Sequence, residues 1–197
     1  MIARLHRRRA QGDRGAVLVE ATLVLPVIMM LLWGIIEFGF GWRDKITVET
    51  AARTGARTAS NLGNQSTADY YALQATVAAL SSVPTANIDY VVIFNATLNG
   101  ISPTCAAGTG TGSSASDNQC NVYAPAKFTA ASTNFGCGTG KYDNNWCPQS
   151  RNAIQSTGPS YVGVYVKIHR PLITGQFGTS ISSITANAIM RLEPVPA

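Results

Sequence analysis

Near its N-terminus the chain carries an apolar segment with the length of a membrane-spanning helix. Residues 16–40 are apolar almost throughout, and an α-helix of that length rises about 37 Å, more than the roughly 30 Å hydrocarbon core of a bilayer. The uncharged part, Ala21 to Ile36, is shorter, so Glu20, Glu37 or both should lie at or inside the hydrocarbon boundary. The pattern predicts a transmembrane helix over residues 16–42.

The helical pattern continues beyond the membrane segment. Small residues recur every three or four positions between Val48 and Leu62, which marks one face of a helix. Alanine and glycine let backbones approach closely, so this face should pack tightly against a sheet or another helix. A second, shorter helix is predicted from Tyr70 to Leu80, because Ser66 is followed three residues later by an acidic residue, as at many helix starts.

From residue 87 onward the pattern is that of β-strands. Residues 87–97 and 160–170 are rich in β-branched and aromatic side chains, and the second segment alternates apolar and other residues. Residues 180–193 alternate less regularly and form one apolar face, including Ile181, only if a bulge intervenes. The Gly- and Ser-rich loop 98–159 is too long to be a simple connector. The predicted fold class is α+β, with a long N-terminal helix continuing into an exported domain that contains a small antiparallel sheet.

Charge is concentrated in the first fifteen residues. The 197-residue chain has a net charge of +5, of which residues 1–15 carry +4 through five arginines and one aspartate. This basic flank precedes the apolar segment, so the N-terminus should be cytoplasmic and the following domain should be exported. The remaining chain has no basic patch with interleaved aromatic residues, so we expect no nucleic-acid partner.

A cleaved secretory signal peptide is the competing interpretation of this end. Its apolar region is usually about 7–15 residues long and is followed closely by a cleavage site made of small residues. Here the apolar segment is longer and is followed by "EFGFGWRDK". A membrane-spanning helix with a positive cytoplasmic flank is therefore the better interpretation.

The four cysteines, Cys105, Cys120, Cys137 and Cys147, all lie within the loop 98–159. Their spacing contains no Cys-x-x-Cys pair, and an even number in an exported segment favours disulfides over a metal site. Three connectivities are possible, and pairing of sequence neighbours closes the shortest loops. Disulfides would restrict a segment whose composition buries little apolar surface.

No catalytic motif is present in the sequence. Of the two histidines, His6 precedes the apolar segment and His169 lies at a predicted strand end, where an ordinary exposed residue is the simpler interpretation. G-x-S-x-G, P-loop and H-E-x-x-H patterns are missing. We therefore expect a protein that is not an enzyme and has no cofactor or metal.

Four segments together resemble TadE-like proteins, the minor pseudopilins of the tight-adherence (Flp) pilus. They are "RGAVLVEATLVLP" (14–26), "WGIIEFG" (33–39), "AARTGAR" (51–57) and "ITANAIMRLE" (184–193). The resemblance implies a type IV prepilin-like protein with a pilin-like exported domain, anchored in the cell membrane and present in the pilus or its assembly machinery. Its implied partners are other pilus or pseudopilin subunits, a prepilin peptidase, the pilus assembly platform and the lipid bilayer.

The resemblance also assigns roles near the N-terminus. It makes Gly15 the last residue of a cleaved leader and Ala16 the first mature residue, which places Glu20 at the fifth mature position. Cleavage would create an α-ammonium at Ala16, and Glu20 could pair with it or with that of a packed neighbour. Without cleavage, Glu20 would be a boundary residue that reaches the cytoplasmic headgroups. Glu37 is expected at the outer interface and could contact a partner helix.

These expectations divide the chain into a basic cytoplasmic leader (1–15), a transmembrane helix (16–42) and an exported TadE-like domain (43–197). The alternative function is an uncleaved single-pass membrane protein whose exported domain binds a ligand or partner through the cysteine-bearing loop. Loss of residues 1–15 would distinguish the two, since only a prepilin-like protein should be processed.

Overall fold

The first helix is the longest element of the molecule. The computed structural model describes residues 6–97, 100–109, 119–154, 158–172 and 182–193, with the backbone alone for residues 6–14 and Ser182. Helix α1 (His6–Leu62) has 57 residues and is about 85 Å long. It therefore includes the predicted transmembrane helix and its predicted continuation in one element. Residues 1–5 of the predicted leader lie outside the described part of the chain.

Helix α2 (Ala68–Ala79) packs against α1, and Gly55 of α1 lies beside Thr76 of α2. The contacting face of α1 is fully buried and consists of Val48, Ala51, Ala52, Ala56 and Ala59. Small side chains let the α1 backbone lie close to α2 and to the sheet, as the spacing of alanines predicts.

The sheet contains four antiparallel strands, in the order β2-β1-β3-β4. The strands are β1 (Ile88–Asn95), β2 (Cys120–Tyr123), β3 (Tyr161–Arg170) and β4 (Ser182–Arg191). The combination of a long helix with a small antiparallel sheet confirms the predicted α+β class.

Two details of the sheet differ from the sequence-based expectation. The strand β2 was not predicted, because its four residues lie inside the polar loop and are too few for an alternating pattern. The bulge expected in the last strand is not there: β4 pairs with β3 in unbroken register from Ser182 to Arg191, and the irregularity lies in β1 near Ile88. The expected contribution of Ile181 lies outside the described residues.

The two faces of the sheet bury different cores. One face packs on α1 and α2 through residues that include Val91, Val164 and Val166. The other face carries Phe94 and is covered by the short helix α3 (Pro103–Ala106). A side chain at Gly163 would overlap the Phe94 ring, whose Cζ lies 2.2 Å from the position of a Cβ, so glycine is needed opposite this aromatic residue.

Side chains of α1 protect the exposed edge of β4. The Lys45 Nζ donates to the Thr185 carbonyl at 2.7 Å, and the Ser60 hydroxyl donates to the Arg191 carbonyl at 2.5 Å. Edge strands offer unpaired backbone groups to other chains, and a charged side chain held at the edge reduces that tendency. Helix α1 therefore both fills the core and occupies hydrogen-bonding positions along the last strand.

Candidate functional site

The N-terminal half of α1 exposes an apolar surface to its surroundings. Among the described residues, one helix is long and apolar enough by length and composition to cross a membrane, Gly15–Leu62, whose most apolar window has a mean hydropathy of 2.3 and is 0% buried. The exposed large side chains include Leu18, Leu23, Leu31 and Ile35. Exposure of this surface to water would cost about 25 cal/mol of free energy for each Å² of apolar area.

The folded domain begins to contact α1 near Phe40. Arg170, at the end of β3, forms an ion pair with Asp44, and its guanidinium carbon lies 5.3 Å from the centre of the Phe40 ring. Phe38 and Trp42 are stacked and solvent-exposed on the same stretch of helix, with ring centres 6.2 Å apart. Aromatic side chains of this kind are frequent at membrane interfaces, and here they lie where the exposed apolar part of α1 meets the domain.

The residues assigned to leader processing lie on exposed helix. A Cβ placed on Gly15 would have no atom within 4 Å, so neither packing nor backbone conformation within this chain requires glycine there. Ala16 and Glu20 are also exposed. Glu37 is partly buried, and its Oε2 atom is inaccessible. Glu20 and Glu37 are seventeen residues apart on α1, or about 26 Å, so the structure does not bring them together.

Two disulfides close the cysteine-bearing loop, one from Cys105 to Cys120 and one from Cys137 to Cys147. They are the sequence neighbours whose pairing gives the shortest loops. The first disulfide joins α3 to β2 over the outer face of the sheet, and there the Tyr90 hydroxyl donates to the Ala106 carbonyl at 2.6 Å.

The loop also buries aromatic side chains, which its composition did not predict. Phe128, Phe135 and Trp146 are each no more than 5% exposed and belong to the core shared with α1 and α2. The Phe135 ring packs edge-on against Tyr70 of α2, with the ring centres 5.2 Å apart. The loop is therefore part of the core as well as a segment constrained by disulfides.

A buried ion pair connects α2 to the end of this loop. The Arg151 Nη1 lies 2.7 Å from the Asp69 Oδ1, the Arg151 Nη2 donates to the Asp69 Oδ2 at 2.8 Å, and both side chains are fully buried. The Arg151 guanidinium also stacks on Trp146, 3.8 Å from the ring centre. Removing either partner would leave the other charge buried without compensation.

Two side chains of β2 extend the network around this ion pair. Asn121 Nδ2 donates to both the Asp69 Oδ2 and the Trp146 carbonyl at 2.8 Å, and its Oδ1 accepts from the Trp146 backbone N–H. The Tyr123 hydroxyl lies 3.0 Å from the Asp69 Oδ2 and 2.7 Å from the Asp143 Oδ1. The strand that the sequence did not predict thus carries the centre of the network.

Burial and charge shift the pKa values of two members of the network. Burial, with a further contribution from the Asp69 carboxylate, raises the pKa of Asp143 to about 7, against opposing contributions that include the Gly136 N–H. Burial also raises the pKa of the Tyr123 hydroxyl well above its usual value, and the two nearby carboxylates add to the effect. Tyr123 is therefore neutral at neutral pH, and the pKa of Asp143 places its change of charge near neutral pH.

The polar side chains of the network are engaged mainly with one another. The described residues contain no group of three or more His, Cys, Asp and Glu side chains that could hold a metal ion. The Asp69 carboxylate is occupied by donors from Arg151, Asn121 and Tyr123. These side chains can hold α2, β2 and the cysteine-bearing loop together, and one of the carboxyl groups can bind a proton.

The comparisons with known proteins concern the helix rather than this network. Residues 15–57 match the TadE-like protein family. The match confirms, over those residues, the resemblance seen in the sequence. No curated protein and no solved structure shows significant similarity to the chain.

The matched residues 15–57 include both the exposed apolar part of α1 and the part that packs in the domain. The match starts at Gly15, covers the apolar segment, and ends two residues after Gly55, where an added Cβ would lie 2.0 Å from the Thr76 Oγ1 of α2. The buried network and both disulfides lie outside it. Sequence reasoning missed the network, because Asp69 resembled a helix-capping residue and its partner Arg151 is 82 positions away. Two features of the sequence could have pointed to the network. Charged residues alternate with aromatic residues in "KYDNNW" (141–146), and Arg151 is an isolated charge in a polar loop.

Proposed function

We propose that the chain is a minor pseudopilin or a membrane-held assembly component of a tight-adherence pilus. The observation that carries the proposal is the family match over residues 15–57, which falls on a helix that is apolar and exposed in one half and built into a domain in the other. Its N-terminus is cytoplasmic, α1 crosses the membrane once, and the domain is exported.

The division of α1 supports this role. From Phe40 onward the helix is fixed to the domain by the Arg170–Asp44 ion pair and by its buried small residues. Before Phe40 it offers apolar side chains that a bilayer can solvate. The same side chains can pack against the helices of neighbouring subunits, so the domain needs no rearrangement when the helix exchanges lipid for protein contacts.

A prepilin peptidase removes residues 1–15 in this proposal. Glycine at position 15 has no packing role within the chain, so a requirement outside the chain, such as a narrow peptidase site, accounts for it. Cleavage leaves an α-ammonium on Ala16. The exposed Glu20, about one helical turn away, pairs with that group or with the same group of a neighbour, because two separate charges in lipid would cost more.

Leader cleavage is tested by N-terminal sequencing of the membrane-bound protein from cells that contain the peptidase. We expect a terminus at Ala16, and Gly15→Leu should leave the full-length precursor. Gly34→Leu is the matched control, because a side chain there also meets nothing within 4 Å, and it should be processed normally. An intact N-terminus on the wild-type protein would favour an uncleaved single-pass protein with an exported binding domain.

The role of Glu20 is tested separately from cleavage. Glu20→Gln should be processed to Ala16 but should lower the yield of assembled pili, since the carboxylate pairs only after cleavage. Glu49→Gln is the control, because Glu49 lies 3.4 Å from Lys45 in the part of α1 that is fixed to the domain. Equal pilus yields from the two variants would contradict the pairing role.

A further inference from the structure

The Tyr123 hydroxyl contacts two carboxyl groups, and both contacts are hydrogen bonds only if the buried network holds one proton more than its ionised side chains supply. The Tyr123 oxygen is within hydrogen-bonding distance of two carboxylates, at 3.0 Å from the Asp69 Oδ2 and 2.7 Å from the Asp143 Oδ1. A tyrosine hydroxyl has one hydrogen and can donate to one of them. The second contact is a hydrogen bond only if a carboxyl group carries a proton and donates it to Tyr123.

The surroundings identify the protonated group as Asp143. Asp69 faces Arg151 through both carboxylate oxygens and accepts a further hydrogen bond from Asn121, so its environment is built for a negative charge. Asp143 accepts the Gly136 N–H at its Oδ2, at 2.6 Å, which leaves its Oδ1 facing Tyr123. A proton on this oxygen completes a chain in which Asp143 donates to Tyr123 and Tyr123 donates to Asp69.

The charge balance leads to the same assignment. Asp69 and Arg151 compensate each other, so ionised Asp143 would leave a net negative charge in a region where these side chains are at most 3% exposed. A further cation near Asp143 among the described residues is Lys127, which is half-buried, donates to the Val122 carbonyl at 2.8 Å and lies 4.9 Å from the centre of the Tyr142 ring. Burial lowers the pKa of Lys127, and the Asp143 carboxylate opposes that shift. The Lys127 ammonium makes its hydrogen bond to the Val122 carbonyl, whereas the Asp143 oxygens face Gly136 and Tyr123.

We propose that Asp143 is a buried proton-binding site whose proton fastens the disulfide-closed segment Cys137–Cys147 to α2 and β2. Among the described contacts, the segment meets β2 through Asp143 and Tyr123 and through Trp146 and Asn121. Of these two contacts, only the first depends on the proton. Loss of the proton places two carboxylates against one hydroxyl, and the contacts of Trp146 with Asn121 and Arg151 then hold the segment.

The expected pH dependence has a definite sign. The pKa of Asp143 is raised from 3.8 to about 7 in the folded protein, so the folded state binds more protons than the unfolded chain between these values. Stability from this group is complete below pH 3.8 and is lost as the pH rises to about 7. The unfolding equilibrium constant should therefore increase by up to about tenfold per pH unit within that range and level off above it.

The experiment compares full-length wild type with Asp143→Asn in detergent micelles, using urea unfolding between pH 5 and pH 9. The asparagine amide donates to Tyr123 as the protonated acid does, but it does not titrate. We expect the ratio of the wild-type to the variant unfolding constant to rise by about tenfold from pH 5 to pH 6 and about fivefold from pH 6 to pH 7, and to level off above about pH 8. A ratio that is constant from pH 5 to pH 8 would overturn the proposal.

A control variant tests a second ionisable pair among the described residues, His169 and Asp89. Histidines commonly change charge between about pH 5 and 8, and the Nδ1 of His169 lies 2.6 Å from Asp89. Asp89→Asn should keep the wild-type pH profile. If it removes the pH dependence while Asp143→Asn retains it, the proton site is not Asp143.

A spectroscopic measurement keeps the proposal testable if Asp143→Asn does not fold. Wild-type protein with ¹³C-labelled aspartate, which separates its signals from those of Glu20 and Glu37, is examined by infrared spectroscopy at pH 6 and pH 8.5. We expect a protonated-carboxyl band at pH 6 that disappears at pH 8.5 while the protein stays folded. No such band at pH 6 would overturn the assignment.

Discussion

Replacement of Gly55 by alanine tests how closely α1 must approach α2. A Cβ on Gly55 would lie 2.0 Å from the Thr76 Oγ1 and 3.3 Å from the Val164 Cγ1. Thr76 cannot easily turn away, because it is fully buried and its hydroxyl donates to the Ala72 carbonyl at 2.7 Å. Either that hydrogen bond breaks or α2 moves outward from α1.

The change in the free energy of unfolding combines one favourable and two unfavourable contributions. Alanine in place of glycine favours the helix by about 1 kcal/mol. Overpacking a well-filled core costs about 1–3 kcal/mol, and loss of the Thr76 hydrogen bond costs about 0.5–1.5 kcal/mol. The unfavourable contributions exceed the favourable one, so Gly55→Ala should lower the free energy of unfolding by roughly 1–3 kcal/mol.

Urea unfolding of the full-length protein in detergent micelles measures this change. Trp146 is buried and can be the single fluorescent reporter after Trp33 and Trp42, which are exposed, are replaced by phenylalanine. Gly39→Ala is the matched control, since a Cβ there meets nothing within 4 Å, and it should raise the free energy of unfolding by up to about 1 kcal/mol instead of lowering it.

A double variant separates the clash from any general effect of the substitution. Thr76→Ala removes the oxygen nearest to the new methyl group, and the remaining Cβ is 3.3 Å away. Gly55→Ala combined with Thr76→Ala should therefore be more stable than the sum of the two single changes, by about 1–2 kcal/mol. Additive single effects, or a Gly55→Ala variant as stable as wild type, would refute the close-approach argument.

Further predictions concern the network, the disulfide and the topology. Arg151→Met leaves the Asp69 carboxylate buried without its cation and should cost about 3–5 kcal/mol in the same urea assay, whereas a loss below about 1 kcal/mol would contradict a buried pair. Replacing both Cys137 and Cys147 by serine should cost about 3 kcal/mol, and an unchanged midpoint would show that the disulfide is not formed in the folded protein. A reporter fused after Ala197 should be active outside the cytoplasm, and activity confined to the cytoplasm would reverse the topology.

Regular elements could be predicted from the sequence wherever the signal is local and repeated. The apolar run and the small-residue spacing of α1 extend over many residues, and the alternating valines of β3 mark its buried face. Both patterns depend on periodicities of a single element. For the same reason the long helix and the strands β1, β3 and β4 were recognisable, although the ends of each element were not fixed.

The buried network could not be predicted in this way, because its members come from separate parts of the chain. Asp69 is on α2, Tyr123 on β2, and Asp143 and Arg151 are in irregular segments, so no local pattern relates them. The acidic residue after Ser66 matched a helix-capping pattern, but α2 has no side-chain cap and Asp69 points into the core instead. A charge near a helix start has the same sequence signature in both roles.

The strand order explains how the family-matched helix and the chain's own loop can coexist in one domain. Helix α1 contacts β3 and β4, and its side chains reach the outer edge of β4. The network and the segment Cys137–Cys147 attach to β2, which is the opposite edge of the sheet. Strands β1 and β3 separate these two edges, and α2, which packs on α1 and carries Asp69 of the network, connects them. The matched residues 15–57 are therefore coupled to the cysteine-bearing loop through α2, while the loop itself lies at the far edge of the sheet.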